Sequence, residues 1–109
     1  MDIDKETQEK INELQSYEQS LHNILIQKQA FQIELNETEN ALSEISKSKD
    51  DVYKLIGNIM VKADKNKIET ELKKRKEIIS LRIKSIEKQE ESIQKEIDEL
   101  KKEVLKKIK

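Results

Sequence analysis

The sequence has no cysteine, no proline and no tryptophan, and only one glycine, two tyrosines and one phenylalanine. Without cysteine there is no disulfide framework and no thiolate metal site. A phosphate-cradling loop or a dinucleotide fingerprint needs several glycines, so one glycine excludes both. Any nucleotide-driven cycle would have to belong to a partner. Basic and acidic side chains number 22 and 23, for a net charge of −1. With so few aromatics, that balance leaves neither a stacking platform nor a basic stripe for nucleic acid. No apolar run approaches the roughly 18 residues of a membrane span, and no basic-then-apolar leader opens the chain. The expectation is a cytoplasmic protein whose partners include neither nucleic acid nor membrane.

Catalysis finds no footing either. His22 is the only histidine and reads as a solvated surface residue. Ser43, Ser46 and Ser48 have no base to activate them. The many carboxylates lie on polar segments, where nothing raises a pKa for acid–base work. No enzyme, cofactor or metal is expected.

What the chain does have is charge and helical spacing. Of its 109 residues 41% are charged and 34% hydrophobic, a composition of long helices rather than of a compact globule. Alternate steps of four and three from Ile3 reach Thr7, Lys10, Leu14, Tyr17, Leu21, Ile24, Lys28, Phe31, Leu35, Thr38, Leu42 and Ile45. Nine of these thirteen positions are apolar, a coiled-coil seam over a helix of about residues 3–47. Asp2 and Asp4 suit its start as caps. Lys28 and Thr38 interrupt the seam, and either fix register or simply snorkel. The run Ser46-Lys47-Ser48-Lys49-Asp50-Asp51 ends the ladder.

A second ladder runs Leu72, Lys76, Ile79, Ile83, Ile86, Glu90, Ile93, Ile97, Leu100, Val104, with eight of ten positions apolar. It predicts a helix over about residues 66–107. Asn66 and Glu69 have the spacing of a capping box at its start. Two arms of nearly equal length, roughly 65 Å each, can fold back antiparallel into a slender rod. Asp2, Asp4, Glu6 and Glu9 at the amino end would then lie beside Lys101, Lys102, Lys106, Lys107 and Lys109 at the carboxyl end.

Between the arms lies Val52-Tyr53-Lys54-Leu55-Ile56-Gly57-Asn58-Ile59-Met60-Val61-Lys62. Glycine first in a two-residue link suits a type II′ hairpin turn, which needs positive φ there. Pairing outward sets Ile56 opposite Ile59, Leu55 opposite Met60, Lys54 opposite Val61 and Tyr53 opposite Lys62. Val52, Ile56, Ile59 and Val61 then share one face, and Tyr53, Leu55 and Met60 the other. A lone hairpin is marginal in water and leaves two unpaired edges. This one is expected to be an assembly element, completed by strands from other chains.

Some apolar residues miss the ladders. Ile11, Leu105 and Ile108 lie near the chain ends with Ile3, Leu14, Leu100 and Val104. They form either a sticky patch for partners or unfolded chains, or a broader core where the helices splay. Leu25, Ile26, Ile33, Ile78 and Leu81 are off the seam nearer the hairpin, and suit contact with a neighbouring subunit or with a client.

Three blocks carry a family resemblance. They are Gln27-Lys28-Gln29 with Glu34-Leu35-Asn36-Glu37-Thr38 and Ala41-Leu42; Val52-Tyr53-Lys54 with Ile56-Gly57-Asn58-Ile59 and Val61; and Leu81-Arg82 with Ile86-Glu87-Lys88-Gln89-Glu90-Glu91. Over nearly its whole length the sequence resembles the β-type subunits of archaeal prefoldin, the Gim complex. A single hairpin points to the β type, since the α type carries two. The resemblance implies one domain over residues 1–109. It also implies a heterohexamer of two α and four β subunits, whose hairpins form β-barrels from which six coiled coils hang. It further implies a chaperone that holds non-native proteins without ATP and delivers them to a group II chaperonin. Val52, Tyr53, Leu55, Ile56, Gly57, Ile59, Met60 and Val61 match the assembly strands. Client contact at the distal tips would fall on Ile3, Ile11, Leu14, Leu100, Val104, Leu105 and Ile108, a correspondence of position only. The alternative from a different class is a structural coiled-coil scaffold that docks through its hairpin and binds no client.

Overall fold

The computed structural model describes residues 3–108, so Asp2 and Lys109 of the expected end charges lie outside the described residues. The element order is α1 (Lys5–Lys47), β1 (Val52–Ile56), β2 (Ile59–Ala63) and α2 (Lys65–Ile108). Two long helices with an antiparallel two-stranded hairpin between them is the arrangement the ladders and the lone glycine imply. The chain divides into two compact units, Met1–Gln29 with Lys84–Lys109, and Ala30–Ile83. Each contains a stretch of both helices.

In the first unit the helices pair antiparallel through the ladder residues. Ile86, Ile97, Leu100 and Val104 of α2 are buried, and Leu14, Tyr17, Leu21 and Ile24 of α1 are half-buried against solvent. Two cross-helix ion pairs set the direction. Lys10 Nζ lies 3.4 Å from Glu103 Oε2, and Lys28 Nζ lies 3.0 Å from Glu90 Oε2. Asp4 caps α1, with the Thr7 amide donating to its Oδ1 at 2.7 Å. The helix therefore opens at Lys5, two residues later than the ladder alone suggests. Hydrogen bonding from Thr7, with Lys107 and Lys10 nearby, holds the Asp4 carboxyl below its ordinary value. Only the amide meets hydrogen-bond geometry, because the buried Thr7 hydroxyl has no partner among the described residues.

The second unit holds the hairpin and the helix ends that flank it. Ile79 and Ile83 are buried in its seam, and Thr38 is buried with its hydroxyl donating back to the Glu34 carbonyl at 2.8 Å. That local bond satisfies the one polar group that Thr38 takes into the seam. Arg82 lies over the Phe31 ring, 5.8 Å from its centroid, which pairs α1 with α2 on this unit's flank. Lys76, a ladder position, is exposed.

The start of α2 differs from the capping box expected at Asn66. Asp64 is the cap: its Oδ1 accepts from the Asn66 amide at 2.9 Å, and its carbonyl accepts from the Ile68 amide at 3.0 Å. Both residues are good caps, but a carboxylate also complements the positive end of the helix dipole. Asn66 is left inside the first turn, where its carbonyl accepts from the Thr70 hydroxyl at 2.9 Å. Lys65 at the head of α2 donates from Nζ to the Ser48 carbonyl at 2.9 Å, just past the end of α1. This bond closes the base of the hairpin without proline.

Candidate assembly and binding surfaces

The hairpin has the register that its sequence implies. Ile56 pairs with Ile59, Leu55 with Met60, Lys54 with Val61, Tyr53 with Lys62 and Val52 with Ala63. Gly57 has φ +61°, and among the described residues no other has positive φ. A positive φ at the first turn position alone matches type II′ and excludes type I′, which would require Asn58 to be positive as well. Directly opposed residues share a face. One face therefore carries Val52, Ile56, Ile59 and Val61 with Ala63 and Lys54, and the other carries Tyr53, Leu55 and Met60 with Lys62. Neither face is covered by the chain itself. Leu55 is 65% exposed, Ile59 66% and Met60 63%, and Tyr53, Ile56 and Val61 are exposed too.

Little else in the chain can hold such a ribbon in place. Lys62 Nζ lies 3.5 Å from Asp51 Oδ2, and Lys54 Nζ lies 3.5 Å from Glu71 Oε2. Exposed pairs of this kind are worth about 0–1 kcal/mol each. The two strands form a sheet of two, so each keeps one edge of unpaired amides and carbonyls. Six apolar side chains on these twelve residues are thus exposed, beside two open strand edges.

At the free ends of the helices the apolar surface is narrower than the sequence suggests. Leu100 and Val104 are each only 8% exposed, because their ladder positions turn them into the seam. They are therefore corrected from surface to core. Ile11 and Leu14 are half-buried, while Ile3, Leu105 and Ile108 are exposed. The expected meeting of acidic and basic ends is present in part, since Lys107 is near enough to help hold the Asp4 carboxyl below its ordinary value. The cross-helix contact made there joins Lys10 to Glu103, the minority charge of each end. The Glu103 contact raises the Lys10 pKa above its ordinary value.

A feature that periodicity alone does not reveal is the pairing of two charges within the seam. Lys28 and Glu90 both occupy ladder positions, and they meet at 3.0 Å with Glu87 3.8 Å away. The bond to Glu90 raises the Lys28 pKa against the opposing effect of desolvation. Lys28 thus fixes register between the helices instead of only snorkelling, since a one-turn slip would strand both charges beside apolar neighbours. His22 is exposed. Among the described residues no group of three or more His, Cys, Asp or Glu side chains could hold a metal ion, and no helix is long and apolar enough to cross a membrane.

The family model for prefoldin subunits matches residues 8–109, nearly the whole chain. The chain belongs to the prefoldin family. Its prefoldin relatives include the prefoldin β subunit of Thermococcus kodakarensis, 40% identical over 81% of this chain and 77% of the relative. The β subunit of Pyrococcus furiosus is 38% identical over 82% of this chain and 78% of its own length. In three dimensions the chain is similar to the crystal structure of the prefoldin β subunit from Thermococcus strain KS-1. The TM-score is 0.87 at 34% identity, covering 94% of this chain and 92% of that one. Prefoldins are a chaperone family whose subunits act in complexes.

Proposed function

We propose that the chain is the β-type subunit of an ATP-independent holdase of the cytoplasm. Its hairpin joins those of other prefoldin subunits in β-barrels, in a heterohexamer of two α and four β subunits. The free helix ends bind non-native proteins and deliver them to a group II chaperonin. The observation that carries this reading is the hairpin: apolar on both faces, exposed on both, and open at both edges. A strand pair of this kind is stable only when other strands complete it.

Client binding follows from repetition rather than from a deep pocket. At each tip Ile3, Leu105 and Ile108 offer a small exposed apolar surface, with Ile11 and Leu14 at its margin. One such patch binds weakly. Several on one platform engage a client together, and high effective concentration supplies the affinity. Selection is then by exposed apolar surface in the client and not by its sequence.

The test is suppression of light scattering from a denatured client by the assembled complex. Substituting Leu105→Ser and Ile108→Ser should weaken suppression several-fold while the mass of the complex stays the same, because both side chains are exposed. Unchanged suppression by the variant would refute the tip assignment. No suppression by the unmodified complex would favour a structural scaffold that binds no client.

A further inference from the structure

Residues 100–108 at the free end of α2 carry Lys101, Lys102, Lys106 and Lys107 against a single carboxylate, Glu103. That carboxylate is already engaged across the helix pair, since Lys10 Nζ lies 3.4 Å from its Oε2. Lys107 acts in part on Asp4. Among the described residues Lys101, Lys102 and Lys106 make no ion pair, and all three are exposed. Asp98, one turn before Lys102, accepts from the Gln94 amide group at 3.1 Å instead. The helix dipole accounts for cations in the last turn, where Lys106 and Lys107 sit. Its effect fades within that turn and does not extend to Lys101 and Lys102.

These cations surround the apolar surface of the same end. Leu105, 55% exposed, has Lys101 and Lys102 at i−4 and i−3, which places both beside it on the helix. Lys106 follows it directly. Ile108, 40% exposed, continues the face of Lys101 and Leu105. The α1 side of this end differs. Glu6, Glu9 and Glu13 are exposed there, but Ile11 and Leu14 are half-buried, and the exposed Ile3 lies ahead of the helix. The exposed apolar side chains of the helical part of this end therefore stand among lysines.

We infer that this end selects, among non-native proteins, segments in which apolar residues alternate with aspartate or glutamate. The inference rests on the proposal that the free helix ends bind clients, and it adds the class of client. A segment of that chemistry sets apolar side chains on Leu105 and Ile108 and carboxylates on Lys101, Lys102 and Lys106. A lysine-rich segment of equal hydropathy meets like charge there. Each exposed pair adds little, but several ends engaging one client multiply the small preference. A protein segment is the occupant rather than nucleic acid, because the lysines flank aliphatic side chains and no aromatic residue lies within residues 100–108 to stack a base.

Fluorescence anisotropy on the assembled complex tests the selection. The probes are a labelled peptide of leucine pairs set between glutamates, and its counterpart with lysine at every glutamate. The acidic peptide should bind about tenfold more tightly in about 0.05 M salt, and within about twofold in about 0.5 M salt. Lys101→Gln with Lys102→Gln and Lys106→Gln should lower its affinity about tenfold, to that of the basic peptide. Lys101→Arg with Lys102→Arg and Lys106→Arg should keep the preference. Equal binding of the two peptides by the unmodified complex, or a preference that survives the glutamine substitutions, overturns the client class. Displacement of the acidic peptide by a single-stranded oligonucleotide at a lower concentration than by unlabelled acidic peptide overturns the choice of occupant. The underlying reading is tested separately by Leu105→Ser with Ile108→Ser. Weaker binding of both peptides to that variant supports the helix ends as the client site, and unchanged binding of both overturns the site and the selection together.

Discussion

Replacing Leu55 and Met60 together by serine separates assembly from folding. The two residues oppose one another on one hairpin face and are 65% and 63% exposed in the single chain. Complete burial of such a side chain is worth about 1.5–3 kcal/mol. With some two-thirds of each still facing water, about 1–2 kcal/mol per side chain remains to be gained when other strands cover it. The double variant should therefore weaken association by roughly 2–4 kcal/mol, or about 30- to 1000-fold in the association constant. The helices bury neither residue, so their formation should not respond. Sedimentation velocity over a dilution series reads the first quantity, and far-UV circular dichroism below the association range reads the second. An unchanged mass distribution would refute the assignment of this face to assembly. Loss of helix in step with loss of mass would show that the hairpin supports its own chain rather than its neighbours.

Three further outcomes follow from the same structure. Ile97→Ala, at a position only 2% exposed, should cost about 2–5 kcal/mol of chain stability in thermal melting. A loss below 1 kcal/mol, the cost of a surface change, would contradict its place in the seam. Gly57→Ala meets open space, with nothing within 4 Å of the added carbon, so its cost is the positive φ alone, about 1–2 kcal/mol, read as a lower denaturation midpoint of the assembled complex with the dilute chain's helix content unchanged. Lys28 has a pKa raised above its ordinary 10.5 by Glu90, so its stabilising charge is complete below that pH and is lost as pH rises through the folded value. Lys28→Met should accordingly show a shallower fall in Tm above pH 10.5 than the unmodified chain, and parallel curves would contradict the seam pairing.

Where the sequence was informative, one local rule sufficed. Period 3.5 placed Ile79, Ile83, Ile86 and Ile97 in the seam, and they are buried. The lone glycine between two β-rich runs set the hairpin register through Ile56 and Ile59. Where it misled, two rules competed for the same residues. Leu100 and Val104 counted both as ladder positions and as tip surface, and the ladder prevailed because the 3.5-residue repeat turns both side chains toward the facing helix. Asp64 and Asn66 are both capping residues two apart, and periodicity cannot choose between them. The Lys28–Glu90 pair required knowledge of which α2 residue faces which α1 residue, a relation between segments that no single window contains.

Hydrogen–deuterium exchange on the intact complex, with and without a denatured client, bears most directly on the central claim. Relative to the dilute chain, assembly should slow amide exchange throughout residues 52–63, including the edge amides that the isolated hairpin leaves open. Addition of client should then add protection near the free helix ends, around residues 3–14 and 100–108, and nowhere along the hairpin. Hairpin amides that exchange as fast in the complex as in the dilute chain would contradict the platform, and client protection centred on the hairpin would contradict the division of labour between the two ends.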